Sequence, residues 1–269
     1  MTKIAIISER DNIWALPVWQ KTIPILQKNG IEIVGMWICP AKLGRFSGVN
    51  IPKWYFTTFG TLDFIRLSLF SLFSQLRRQL RKYTRNGISN FASLAKHYEI
   101  DYYECEDPND TKMVTMLKYT QVEILITWVG YILKKQILEI PRTGSINKHA
   151  SILPSYQGLF PYLWAYIDAA PQGVSFHVMT ENIYEGKILV QQDVPKAIVE
   201  SSMVKFYLYV YQNYSQMLLE AIRNLISGNF IIPQETSVST FGLPNSEDIN
   251  NFRKAGGNVI RWQDIFKAL

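Results

Sequence analysis

Asn147 and His149 stand two residues apart in the string Gly144-Ser145-Ile146-Asn147-Lys148-His149-Ala150-Ser151-Ile152-Leu153-Pro154-Ser155-Tyr156-Gln157-Gly158. On an extended segment, side chains two apart project to the same face, so an amide and an imidazole are placed side by side. Such a pair suits acyl transfer to an amine. The imidazole takes up the amine proton, and the amide N–H stabilises charge developing on a carbonyl oxygen. Taken alone the pair is a weak signal, because neighbouring polar residues are common. Ser151 either supports that geometry or caps a local turn. His177, on an alternating strand, is read first as a satisfied structural histidine and second as a ligand contact. Cys39 and Cys105 have no C-x-x-C spacing, so no metal site and no disulfide framework is expected, which fits a reducing cytoplasm.

The elements that must position these residues follow from apolar periodicity. Met1 to Ser8 reads as a first buried strand, far too short for the apolar region of a signal sequence. Trp14 to Lys28 has helical spacing closed by Asn29-Gly30, and Ile31 to Ile38 reads as a second strand. Strand, helix and strand at this spacing begin a parallel sheet with a crossover helix. Residues 40–60, with Pro40, Gly44, Gly48, Pro52 and Gly60, read as a long loop. Ile88 to Tyr98 reads as a helix, Asp101 to Glu104 as a short strand, and Thr111 to Leu117 as a helix. Val122 to Trp128 is the clearest buried strand and runs into Val129-Gly130-Tyr131-Ile132-Leu133, a strand-end loop. In open α/β sheets ligands gather at the carboxyl ends of strands, so this loop is a candidate binding edge. Gly173 to Met179 and Lys187 to Val194 read as an antiparallel pair. A long helix over Ser202 to Ser227 and a tail helix over Ser246 to Ala255 follow.

The 269 residues suffice for one large α/β domain with an appended small element, and 48% hydrophobic against 19% charged residues suits a globular chain with a sizeable core. The net charge of +6 favours anionic partners without choosing among them. Within residues 61–86, the apolar run Phe64 to Phe73 is followed by Arg77, Arg78, Arg81, Lys82 and Arg85. Its apolar part is well short of the roughly 20 residues that span a bilayer. One reading of 64–85 is an interfacial helix resting weakly on an anionic membrane surface. The other, which we favour here, is a helix packed on the sheet with its basic end in solvent, since cations suit helix C-termini.

The string from Asn147 to Gly158 resembles the formyltransferase motif Asn-x-His-x-Ser-x-Leu-Pro-x-Tyr-x-Gly at every fixed position. The likeness runs on through Pro161, Trp164 and Ala165, the segment Gly173 to Met179, and Gly186, Ile188 and Gln191. Upstream, Gly130-Tyr131-Ile132-Leu133 is similar to the loop that lines the folate pocket in this family. The motif is specific for the family and not for the substrate. The resemblance implies a Rossmann-like, mostly parallel sheet flanked by helices over 1–200, carrying the 61–86 helical insertion. Residues 201–269 then form a C-terminal helix and a small extension. It implies N10-formyltetrahydrofolate as co-substrate and no metal. His149 would be the base on the acceptor amine, Asn147 would polarise the formyl carbonyl, and Gly130, Tyr131, Ile132, Leu133 and Ile183 would line the cofactor site.

One departure stands out. The family has an Asp two residues before the glycine matching Gly186, whereas the segment here is Ile183-Tyr184-Glu185-Gly186. Tyr184 therefore occupies the place of a carboxylate that pairs with the histidine. A phenol hydrogen-bonds but carries no charge at neutral pH, and Glu185, one position along, is the candidate replacement. The favoured expectation is a cytoplasmic formyltransferase; the alternative is a degenerate, non-catalytic binding protein. The short stretch after the long helix argues against the β-rich domain with which methionyl-tRNA formyltransferases hold tRNA, so no nucleic-acid partner is expected. The segments Gly158 to Ala165 and Phe241 to Pro244 resemble bacterial proteins of amino-sugar modification, which makes a nucleotide-linked amino sugar the expected acceptor. Pairing of two copies into a homodimer is left open.

Overall fold

The computed structural model describes residues 1–84, 87–181, 186–233 and 238–267, with side chains described outside 81–84. In chain order the elements are β1 (Thr2–Glu9), α1 (Ala15–Lys28), β2 (Ile31–Cys39), β3 (Lys42–Leu43), β4 (Phe46–Ser47), α2 (Asn50–Thr84), α3 (Phe91–His97), β5 (Tyr102–Glu104), α4 (Thr111–Tyr119), β6 (Ile124–Trp128) and α5 (Lys135–Leu138). They continue as β7 (Gly144–His149), β8 (Gln157–Gly158), α6 (Pro161–Ile167), β9 (Gly173–Val178), β10 (Ile188–Asp193), α7 (Lys196–Val199), α8 (Met203–Ser227), β11 (Thr240–Phe241) and α9 (Ser246–Lys254).

Seven strands form one sheet in the order β10-β9-β7-β6-β1-β2-β5. β1 pairs in parallel with β2 and β6, β6 with β7, and β2 with β5. β9 turns antiparallel to both β7 and β10. The mostly parallel, helix-flanked sheet with its antiparallel edge is the fold the sequence predicts. Its central strands are buried on both faces: Ile4, Ile6, Ile124 and Ile126 join the core that faces α1 and α8, while Ala5, Ile7 and Leu125 join the core that faces α4. Continuous apolar runs, not alternating ones, are what such a two-sided sheet requires. α8 is capped by the Ser202 hydroxyl at its start and by left-handed Gly228 at its end, and packs against α1 and the β9 and β10 strands.

Two expectations fail, the loop over 40–60 and the packing of the 64–85 helix on the sheet. Residues 40–60 are not a single long loop, because α2 already begins at Asn50. Pro52 falls in the first helical turn, where its missing N–H costs no hydrogen bond. Gly60 (φ 77°, ψ 170°) then kinks the helix, a left-handed backbone that glycine adopts freely. α2 packs mainly against α9 and β4 and not flat on the sheet.

The tail also reaches the motif. β11 pairs in parallel with β8, and Phe241 stacks on Trp164 (4.8 Å between centroids) and on Tyr156 (5.7 Å). Gly158 sits at φ 97°, and a Cβ there would lie 1.9 Å from the Phe241 carbonyl oxygen, so only glycine lets the two segments meet.

Candidate active site

The carboxyl ends of β1, β6 and β7 open onto one cleft of about 370 Å³. Its lining includes Glu9, Thr127, Trp128, Gly130, Asn147, Lys148 and His149, with Tyr207 and Tyr211 from α8. Parallel register brings these distant residues level: Ser8 pairs with Trp128, and Thr127 with Asn147. Asn147 and His149 therefore do share a cleft. The Thr127 hydroxyl lies 3.2 Å from Asn147 Oδ1. That hydroxyl lies equally close to the Ile146 carbonyl and to Met179 Sδ, so its one hydrogen is shared among three acceptors, and the amide Nδ2 hydrogens are the donors this side chain can offer a ligand.

His149 is nearly buried, and its Nε2 lies 2.9 Å from the Tyr156 carbonyl oxygen. A carbonyl only accepts, so Nε2 carries the hydrogen and Nδ1 is the basic nitrogen of the neutral ring. Burial pushes this imidazole down to about 3, against a weaker upward pull from the Tyr156 bond and small repulsions from His177 and Lys148. The ring is thus neutral throughout the ordinary pH range. His177 faces Asn147 across the β7–β9 pair and is also buried; its Nδ1 lies 3.1 Å from the Val178 carbonyl, and burial holds it near 4. Ser151 performs the turn role: its hydroxyl donates to the Ser155 carbonyl at 2.8 Å, and its own carbonyl accepts from Ser175 at 2.7 Å.

Two charged groups in the cleft carry no sequence signal of their own. Glu9 Oε1 accepts from the backbone N–H of Gly130 (2.6 Å) and of Lys42 (3.0 Å), clasping the strand-end loop to the β3 segment. Burial raises its carboxyl to about 7, against the pull of those two bonds. A Cβ on Gly130 would sit 2.1 Å from the Lys42 carbonyl oxygen, so this clasp needs glycine. Lys148, the variable residue inside the motif, lies with its ammonium over Trp128 (5.3 Å) and Tyr211 (4.8 Å). Desolvation lowers it to about 8. Trp14 and Tyr207 extend the same aromatic wall, at 5.3 Å and 5.8 Å from Tyr211.

The remaining predicted site residues are dispersed. Tyr131 donates its hydroxyl to backbone carbonyls of Pro40 or Glu106 (3.1 and 3.3 Å), Ile132 is largely exposed, and Leu133 is buried in the core beside α4. None of the three lines the cleft, whereas Gly130 does. Ile183, Tyr184 and Glu185 lie outside the described residues. Glu9 is a charged residue at the carboxyl end of a predicted strand, which is a signal for the cleft; Lys148 is marked only by its place between Asn147 and His149.

A family model described as Formyl transferase matches residues 72–222, more than half of the chain. Methionyl-tRNA formyltransferase of Staphylococcus aureus (strain MW2) is 26% identical over 172 residues, covering 62% of this chain and 55% of that protein. The corresponding protein of Thermodesulfovibrio yellowstonii is 38% identical over 91 residues, 33% of this chain and 30% of the relative. The chain thus spans about half the length, or less, of these curated relatives. Among solved structures, a sugar N-formyltransferase from Shewanella sp FDAARGOS_354 superposes with a TM-score of 0.56 at 16% identity, covering 95% of this chain and 88% of that one. Glycinamide ribonucleotide transformylase 1 from Symbiobacterium toebii gives 0.55 at 13% identity, with 87% and 92% covered. At these identities the likeness to the solved structures is one of fold.

Proposed function

We propose that this chain, which belongs to the formyl transferase family, transfers a formyl group from N10-formyltetrahydrofolate to the amine of a small acceptor. The observation that carries the reading is the Asn147–His149 pair at the mouth of one strand, both lining the same cleft, with His149 Nε2 held to the Tyr156 carbonyl. The donor set fits the co-substrate: an amide N–H for a carbonyl oxygen, a neutral imidazole, and an aromatic wall suited to a flat ring. Gly130, which lines the cleft, is the residue we assign to holding it, together with Ile183 by family likeness; Tyr131, Ile132 and Leu133 lie outside the cleft and are not assigned to it. When bound, it supplies an activated formyl carbon.

The rest falls to this chain's own groups. Asn147 Nδ2–H donates to the carbonyl oxygen as charge gathers there. His149 Nδ1 takes the proton that the attacking amine must lose, forming an imidazolium that the Tyr156 carbonyl helps to stabilise through Nε2–H. Lys148, mostly charged at neutral pH, and Lys42 place positive charge in the cleft, which supports an anionic acceptor such as a nucleotide-linked amino sugar. In this reading residues 1–200 form the catalytic unit in a cytoplasmic setting. Residues 201–269 close it, α8 giving Tyr207 and Tyr211 to the cleft wall.

A second reading is favoured by two features. Burial leaves His149 a weak base, and Tyr184 replaces the family carboxylate that would strengthen it. A binding protein without turnover would carry both marks. Incubation with N10-formyltetrahydrofolate and a panel of nucleotide-linked amino sugars, followed by tetrahydrofolate release, separates the two. Turnover that disappears in His149→Ala supports the transferase; binding with no turnover across the panel supports the second reading.

A further inference from the structure

The most unusual surface of the molecule is α2. Beyond the Gly60 kink, Leu62, Ile65, Leu72 and Leu76 are 54%, 46%, 51% and 49% exposed. At 3.6 residues per turn the four fall within an arc of about 80°. The buried positions of the same stretch, Asp63 and Phe70, lie on the opposite side, roughly 120–140° round the helix from the centre of that arc. The stripe therefore points away from the fold. The segment after α9 adds two large side chains next to this helix, Trp262 at 53% and Phe266 at 57% exposure. The Arg66 guanidinium lies over the Trp262 ring at 4.8 Å, and Phe73 meets Phe266 at 5.1 Å. Between Asp63 and Glu99 the sequence holds seven Lys or Arg and no Asp or Glu; Arg66 is ion-paired with Asp63 and Arg78 donates to the Asn12 carbonyl, so the basic excess of this stretch rests on the other five.

We infer that this face is a docking surface for an anionic lipid bilayer, with α2 lying in the headgroup plane. An apolar stripe of Leu and Ile, a tryptophan and a one-signed basic flank are the marks of an interfacial helix. The absence of acidic residues over this stretch selects a negatively charged partner. By length and composition alone, Asn50–Leu80 could cross a membrane. Its ties to the fold forbid that: Trp54 and Phe59 are buried in the core at one end, and the Arg78 guanidinium donates to the Asn12 carbonyl near the other. Midway, Arg253 bridges Asp63 at 2.8 Å. A helix held to one body along its length rests on a membrane and does not pierce it. The same helix gives Tyr55 and Leu67 to the cleft, so docking brings the cleft within about one helix diameter, ~10 Å, of the headgroups.

This inference does not depend on the reaction proposed above, and its test uses no substrate. The whole chain is sedimented with vesicles of phosphatidylcholine alone or mixed with phosphatidylglycerol. Binding is expected to the mixed vesicles only, falling about tenfold or more when salt is raised to about 0.5 M. The double variant Leu72→Glu/Leu76→Glu, at exposed positions that leave the fold intact by circular dichroism, is expected to lose about tenfold or more of the bound fraction. Protein that stays in the supernatant at low salt overturns the inference, as does equal binding to neutral vesicles. So does a dimer in sedimentation equilibrium that the same two substitutions break, which would make a second copy the occupant.

Discussion

The cleft and α2 depart from ordinary burial in opposite directions. In the cleft, groups that prefer water are withdrawn from it: His149 and Glu9 are shifted to about 3 and about 7, chiefly by desolvation. Along α2, groups that avoid water are left in it, with four branched aliphatic side chains near half exposure. Each arrangement costs stability, the first through desolvation and the second through unburied apolar area. The difference teaches what kind of contact each region is built for. On the two proposals made above, buried, pre-aligned polar atoms suit a small polar ligand, whereas an exposed apolar stripe with a basic flank suits an extended surface.

Substitutions sharpen the contrast, because the cleft should answer in rate and α2 should not. His149→Ala is expected to lower formyl transfer by about 10²–10⁴-fold, the range for losing a positioned base, with circular dichroism unchanged. Asn147→Ala removes one carbonyl-oxygen donor and is expected to lower kcat by about 10²–10³-fold with little change in KM, read by steady-state kinetics. Gly158→Ala puts a Cβ 1.9 Å from the Phe241 carbonyl oxygen and must part β8 from β11. A loss of about 2–4 kcal/mol in urea unfolding is expected.

The fourth prediction is a pH signature. Glu9 binds its proton more tightly folded, near 7, than at its ordinary 4.5. Its favourable contribution is therefore complete below pH 4.5 and is lost as pH rises through 7. Glu9→Gln keeps an acceptor for Gly130 and Lys42 and should lack that slope, so the thermal stability of the variant gains on the native chain between these pH values. His149, pushed down from 6.5 to about 3, has the opposite sign: stability rises with pH across that window. Only the difference between the two chains isolates Glu9. Smallest of all is Leu76→Glu, which is expected to change unfolding free energy by no more than about 0.5 kcal/mol, as exposed sites do. The same change at fully buried Leu125 should prevent folding.

What was legible in the sequence follows the range of the interactions. The strands β1, β2, β5, β6, β9 and β10 with α1, α8 and α9 are set by local apolar period and caps, and they read through correctly, whereas the two-residue strands β3, β4, β8 and β11 do not. The Asn147–His149 pairing needs only the alternation of one strand. The first turns of α2 were misread because Pro52 and Gly60 are loop residues by frequency, while here one opens a helix and the other kinks it. Glu9 and Lys148 come together only through parallel register among β1, β6 and β7, and the β8–β11 contact joins segments 83 residues apart, such as Gln157 and Thr240. No local pattern announces either. The segment Ile183-Tyr184-Glu185, where the sequence departs from the family, lies outside the described residues, so its expectation passes directly to experiment.

The most direct measurement is single-turnover release of tetrahydrofolate, with N10-formyltetrahydrofolate and excess amino-sugar nucleotide, by the native chain and His149→Ala at matched folded fractions. The account predicts rapid release by the native chain and release slowed at least about 100-fold in the variant. Equal rates in the two chains would contradict it.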